Sequence, residues 1–226
     1  MAPPAYGARA RVLNLAAAAL MLAGAASCAA AAEPVTIAAL GDSLTQGYGL
    51  PEAEGFAPLL QAWLRENGAA DAVVINAGVS GDTTAGGRAR VAWTLTEDVD
   101  AVIVALGGND LLRGLDPTES RRNLDAILAE VVGRGLPVLL AGLPAPANYG
   151  AEYQAAFDAI YPELAAQHDA ILYPNFLAGL GAGSDLNAAR ALMQPDGIHP
   201  NAEGVTAVVA AIGPSVLELV AAAQQD

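Results

Sequence analysis

Five short, largely apolar runs recur along the chain: Val35–Leu40, Ala72–Asn76, Ala101–Leu106, Pro137–Ala141 and Ala170–Tyr173. None alternates apolar with polar positions. Such runs predict strands buried on both faces of a parallel sheet. Between them apolar residues return every three or four positions, as on one face of a helix. Phe56, Leu59, Leu60, Trp63 and Leu64 predict a helix from Phe56 to Glu66. Further helices are predicted over 83–93, 117–134, 151–168 and 201–223, with Thr118 as the cap of the one over 117–134. Ile127, Leu128 and Val131 mark the buried face of that helix, and Val205, Val208, Val209, Ile212, Val216 and Leu219 that of the closing one. Strands alternating with helices indicate an α/β fold. The first three strands each end in a glycine-containing polar turn, so these turns fall together on the carboxyl edge, where open α/β sheets bind ligands.

The first 32 residues do not fit this alternation. Arg9 and Arg11 precede an apolar stretch from Val12 to Ala26, and Ala30-Ala31-Ala32 ends the segment with the small residues of an export cleavage site. Residues 1–32 are therefore expected to be a signal peptide and 33–226 a single domain, with a periplasmic or secreted destination. Leu22 to Cys28 also resembles a lipoprotein signal, although Ala25 stands where Leu or Val is usual. A lipid anchor at Cys28 stays open beside plain cleavage. No membrane span is expected in the mature chain, and a monomer is expected.

Composition narrows the function. The 226 residues include 54% hydrophobic and 15% charged ones, a globular balance. All ten basic residues are arginine. Without lysine there is neither a P-loop nor a Schiff-base mechanism. A formal charge of −14 repels nucleic acid, so no nucleic-acid partner is expected. One cysteine and two histidines argue against a Cys/His zinc site, and no metal or cofactor is expected.

The candidate chemistry starts where the first strand stops, at Gly41-Asp42-Ser43-Leu44. A serine on a strand-to-helix turn presents its hydroxyl at the sheet edge, as a nucleophile requires. It needs a base, and only His168 and His199 are available. His168 ends a helix, where a solvated histidine facing the helix dipole is expected. His199 lies in Asp196-Gly197-Ile198-His199-Pro200, whose spacing lets the Asp196 carboxylate reach the imidazole and orient it. Asp196 could equally just close a loop. Ser80 is the rival nucleophile, but Gly78-Val79-Ser80-Gly81-Asp82 lacks the G-x-S-x-G pattern. That segment reads as a donor loop with the Gly78 N–H exposed. Asn109 follows the third strand and two glycines, so its amide can point into the same cleft or simply shape the turn.

Taken together, Gly41-Asp42-Ser43-Leu44, Gly78, Gly107-Gly108-Asn109-Asp110 and Asp196-Gly197-Ile198-His199-Pro200 resemble, in their order, the blocks of the GDSL, or SGNH, hydrolase family. The phrases Asn76 to Thr83 and Pro146 to Gly150 are similar to the bacterial multifunctional thioesterase/lysophospholipase/arylesterase branch. The resemblance implies a flavodoxin-like three-layer α/β/α sandwich. It implies Ser43 as nucleophile, His199 as base, Asp196 as its orienter, and oxyanion donors from the Ser43 N–H, the Gly78 N–H and the Asn109 side chain. It implies small-molecule acyl ester or thioester substrates, including aryl esters and lysophospholipids. A carbohydrate acetylesterase and a non-catalytic binding domain on the same scaffold remain alternatives. Leu111 to Asp116, an apolar loop after the Asn109 turn, and Pro144 to Tyr149 are expected to line the acyl groove through Leu111, Leu112, Leu115, Pro146 and Tyr149, unless the leucines merely pack against the helix that follows.

Overall fold

The computed structural model describes residues 34–181 and 186–225, together with Met1. The predicted signal peptide, its cleavage site and Cys28 lie outside the described residues. Five parallel strands form one sheet in the order β2-β1-β3-β4-β5: β1 Thr36–Gly41, β2 Val73–Gly78, β3 Ala101–Ala105, β4 Val138–Ala141 and β5 Ile171–Tyr173. The helices, numbered along the chain, are α1 Ser43–Gln46, α2 Phe56–Glu66, α3 Thr84–Thr94, α4 Gly108–Leu112, α5 Pro117–Val132, α6 Ala151–Asp158, α7 Ile160–Gln167, α8 Leu186–Ala191 and α9 Ala202–Ala223. The chain steps from β1 out to β2 and returns past β1 to β3. That reversal makes the β1/β3 boundary the switch point of a flavodoxin-like sheet, where a crevice opens beyond the strand ends.

Successive residues of β1 point to opposite faces. Ile37 and Ala39 join Phe56, Leu60 and Leu64 of α2 and the apolar stripe of α9. Ala38 and Leu40 join Val91 of α3, Leu124, Ile127 and Leu128 of α5, Phe157 of α6 and Leu164 of α7. Helices thus cover both faces. Leu40, Ile103 and Leu139 are wholly buried, and each such side chain contributes about 1.5–3 kcal/mol of transfer free energy. By length and composition α9 could cross a membrane, but its apolar stripe is the core face of this domain.

Four details differ from the sequence reading. Asp116, not Thr118, caps α5: its carboxylate accepts the Thr118 N–H at 2.8 Å, and Pro117 takes the first helical position. The helix expected over 151–168 is two helices, α6 and α7, broken at Ala159. Pro162 accounts for the break, since it has no N–H for the Asp158 carbonyl and its ring crowds that group. β2 is an edge strand with Val73 and Ile75 more than a third exposed. Its apolar run is therefore covered on one face only. Leu111 and Leu112 close helix α4 rather than a loop.

Candidate active site

β1 ends at Gly41, and a side chain there would overlap Thr45, because α1 folds back over the strand end. Asp42 caps α1 through Oδ1, which accepts the Leu44 N–H at 3.0 Å. Ser43 is consequently the first residue of α1, and an N–H in that position has no partner within its helix. Gly78 ends β2 opposite Gly41. A side chain at Gly78 would overlap the backbone of Gln46, so its glycine is what lets α1 lie across the strand end. Arg90 of α3 ties these ends together. Its Nη2 donates to the Gly41 carbonyl at 2.8 Å, Nη1 to that of Ala77 at 2.7 Å, and Nε to Asp82 at 2.6 Å.

His199 reaches Ser43 from a loop 156 positions away. Its Nδ1 is 2.6 Å from Asp196 Oδ2, and its Nε2 is 2.9 Å from Ser43 Oγ. A carboxylate only accepts, so Nδ1 carries the proton and Nε2 is left to accept from the serine hydroxyl. Asp196 Oδ1 also accepts the N–H groups of Ile198 at 2.9 Å and His199 at 3.0 Å. Gly197, at φ +66°, makes the turn that permits this. The His199 hydrogen bond, helped by the two backbone donors, lowers the Asp196 pKa to about 2. Protonation of Asp196 therefore does not set the acid limb of any activity measured above about pH 3. Gln194 Nε2 braces the loop, donating to Tyr48 O at 2.8 Å and Pro200 O at 3.0 Å. The Tyr48 ring packs 4.7 Å from the imidazole, centroid to centroid. His168 is not part of this arrangement. It precedes β5, at the amino edge of the sheet, with Nε2 2.6 Å from Asp125 Oδ1.

Asn109 comes from the first turn of α4. Gly107 enters that turn at φ +120°, where a side chain would overlap the Tyr161 hydroxyl. The Asn109 Nδ2 donates to Asp42 Oδ2 at 3.3 Å. Burial raises the Asp42 pKa to about 6, against hydrogen bonds from Leu44 and Asn109 that lower it. A carboxylate whose folded pKa is raised costs stability when ionised. That cost is absent below about pH 4, the unfolded pKa, and is fully present above about pH 6.

The Gly78 N–H, expected from the sequence to be open, instead donates to Asn76 Oδ1 at 3.0 Å. Three residues on, Gly81 at φ +85° turns the loop; its carbonyl accepts from Arg113 Nη2 at 2.8 Å. Among the described residues its N–H has no hydrogen-bond partner. Of the two glycines of the loop, the second thus carries the free backbone donor. The two glycines read alike in sequence, and only the Asn76 contact separates them.

Ser43 and Asn109 open on one cleft of about 260 Å³. Leu111, Leu112, Pro146 and Tyr149 line it as expected, joined by Leu143, Leu177 and Ile198, which the sequence reading missed. Those three come from three separate segments, so no single motif announces them. Leu115 does not reach the cleft; it is 38% exposed and its carbonyl accepts the Tyr153 hydroxyl at 2.9 Å. Among the described residues no cluster of His, Cys, Asp and Glu could hold a metal ion.

Residues 39–207 match the GDSL-like lipase/acylhydrolase family. The chain is 42% identical over 166 residues to the esterase TesA of Pseudomonas aeruginosa, spanning 73% of this chain and 79% of that one. It is 39% identical over 175 residues to the thioesterase 1/protease 1/lysophospholipase L1 of Escherichia coli K12, spanning 76% and 78% respectively. Among solved structures, AlinE4, an SGNH-hydrolase family esterase, superposes with a TM-score of 0.67 at 46% identity over 82% of this chain and 96% of its own.

Proposed function

The chain belongs to the GDSL-like lipase/acylhydrolase family, and from that premise we propose that Ser43, His199 and Asp196 are its catalytic triad. The protein is a serine hydrolase acting on ester bonds. The observation that carries the residue assignment is the unbroken chain from Ser43 Oγ through both imidazole nitrogens to the Asp196 carboxylate. Ser43 Oγ attacks the acyl carbonyl while its proton passes to His199 Nε2. The tetrahedral oxyanion is held by the Ser43 N–H, the Asn109 Nδ2–H and the Gly81 N–H, the last in place of Gly78. His199 then protonates the leaving alkoxide or thiolate as its bond to carbon breaks. Water, deprotonated by the same imidazole, releases the acid from the acyl-enzyme. Ionised Asp196 stabilises the imidazolium formed in each half-reaction.

The substrates we propose are short- to medium-chain acyl, aryl and thioesters and lysophospholipids. In support, relatives carry esterase, thioesterase, lysophospholipase and arylesterase names, and the cleft wall is mainly aliphatic. Export by residues 1–32 and action as a monomer belong to the same reading. Its supports are the basic, apolar and small-residue order of that segment and the supply of the whole triad by one chain. A series of p-nitrophenyl esters from acetyl to palmitoyl, with an acyl thioester, tests the substrate reading. Each methylene that enters the cleft adds about 0.8 kcal/mol, or up to about fourfold in kcat/KM. The expected profile rises from acetyl before levelling off. Hydrolysis confined to acetyl esters would contradict it and favour a carbohydrate acetylesterase.

A further inference from the structure

Asp42 stands inside the site without a part in the proton transfers. It is 2% exposed, and its two carboxylate oxygens serve different elements. Oδ1 accepts from Leu44 in α1, whereas Oδ2 accepts from Asn109 in α4, 67 positions away. Gly108 makes the second contact feasible, since a side chain there would begin 3.1 Å from Oδ2. Capping alone does not explain a carboxylate here. One oxygen suffices for a cap, and neutral Ser or Asn caps as well as Asp. A buried charge also costs stability at neutral pH, and the nearby titratable groups, His199 and Asp110, act on it in opposite directions.

A carboxylate offers what a neutral cap does not: acceptors with no donor. The Asn109 amide has a donor end and an acceptor end, and either can be turned toward the cleft. Beside an ionised carboxylate only Nδ2 is tolerated, since a flipped amide would set Oδ1 against Oδ2. One N–H of Nδ2 is then held by Asp42, and the other remains for an oxyanion. We propose that Asp42 is a positioning residue that keeps the donor end of the Asn109 amide turned to the reacting carbonyl. The proposal rests on the reading of Asn109 as an oxyanion donor.

The test is a double-mutant cycle. Asp42→Asn preserves size and an oxygen for Leu44, but its NH₂ faces Asn109 and turns that amide over. Loss of a whole oxyanion donor costs on the order of 10²–10³ in kcat, so a misdirected one is expected to cost about tenfold or more, with KM within about twofold. The Tm at pH 7 is expected to rise as the buried charge is removed, which separates the loss of rate from unfolding. In an Asn109→Ala background the same substitution should change kcat by less than about twofold, because the group it acts through is gone. Asp42→Ser, which retains a cap but no acceptor for Asn109, should repeat the loss and serves if Asp42→Asn folds poorly. Wild-type kcat in both Asp42 variants, or an equal loss with and without Asn109, would overturn the proposal. An unchanged kcat in Asn109→Ala alone would instead overturn the donor reading beneath it.

Discussion

Ser43→Ala is expected to lower kcat for any ester substrate by on the order of 10⁴-fold or more, while leaving Tm within about 1 °C of the wild type. The size of the loss follows from the geometry. Ser43 Oγ lies 2.9 Å from His199 Nε2, and no other hydroxyl is bonded to that nitrogen among the described residues. Without it the imidazole has no nucleophile to activate, and only oxyanion binding and substrate positioning remain. The fold should not notice, because α1 is capped by the Asp42 side chain and not by Ser43. Ser80→Ala is the matched control. Its hydroxyl donates to Gln46 Oε1 at 2.9 Å and faces no base, so activity should be retained. Activity near wild type in Ser43→Ala would remove Ser43 from the mechanism.

Asn109→Ala is expected to lower kcat by on the order of 10²–10³, with little change in KM. An oxyanion donor is stronger in the transition state than against the neutral ester, so its loss falls on kcat. The substitution also leaves the Asp42 carboxylate with one donor fewer. A cost to stability of about 1 kcal/mol is expected from that, and thermal melts distinguish it from the catalytic loss. A kcat unchanged within about twofold would exclude Asn109 from the oxyanion site.

Much of this arrangement is legible in the chain. β1 beyond Thr36, β3 and β4 are apolar throughout because both faces are covered, and unbroken runs signal that. β2 carries an equally apolar run but lies at the edge, and nothing local tells an edge strand from a central one. The break at Ala159 has its cause in view, at Pro162, yet the apolar periodicity on either side continues through it. At the site, Ser43 and His199 are readable because each sits in a turn whose glycines and neighbours mark it. Asp42 and Arg90 are not, because their roles lie in contacts 67 and 49 positions away. Gly78 and Gly81 were separable only by the Asn76 side chain. Leu115 belongs with Leu111 and Leu112 by composition, but α4 ends between them, and only the first two reach the cleft.

The central claim is that His199 makes the Ser43 hydroxyl a nucleophile. Reaction of the folded protein with a fluorophosphonate, followed by intact-mass measurement and peptide mapping, tests it most directly. The expected result is one adduct per chain on the peptide carrying Ser43, absent in Ser43→Ala and much slower in His199→Ala. A folded wild-type protein that takes up no label, or takes it up on another residue, would contradict the account.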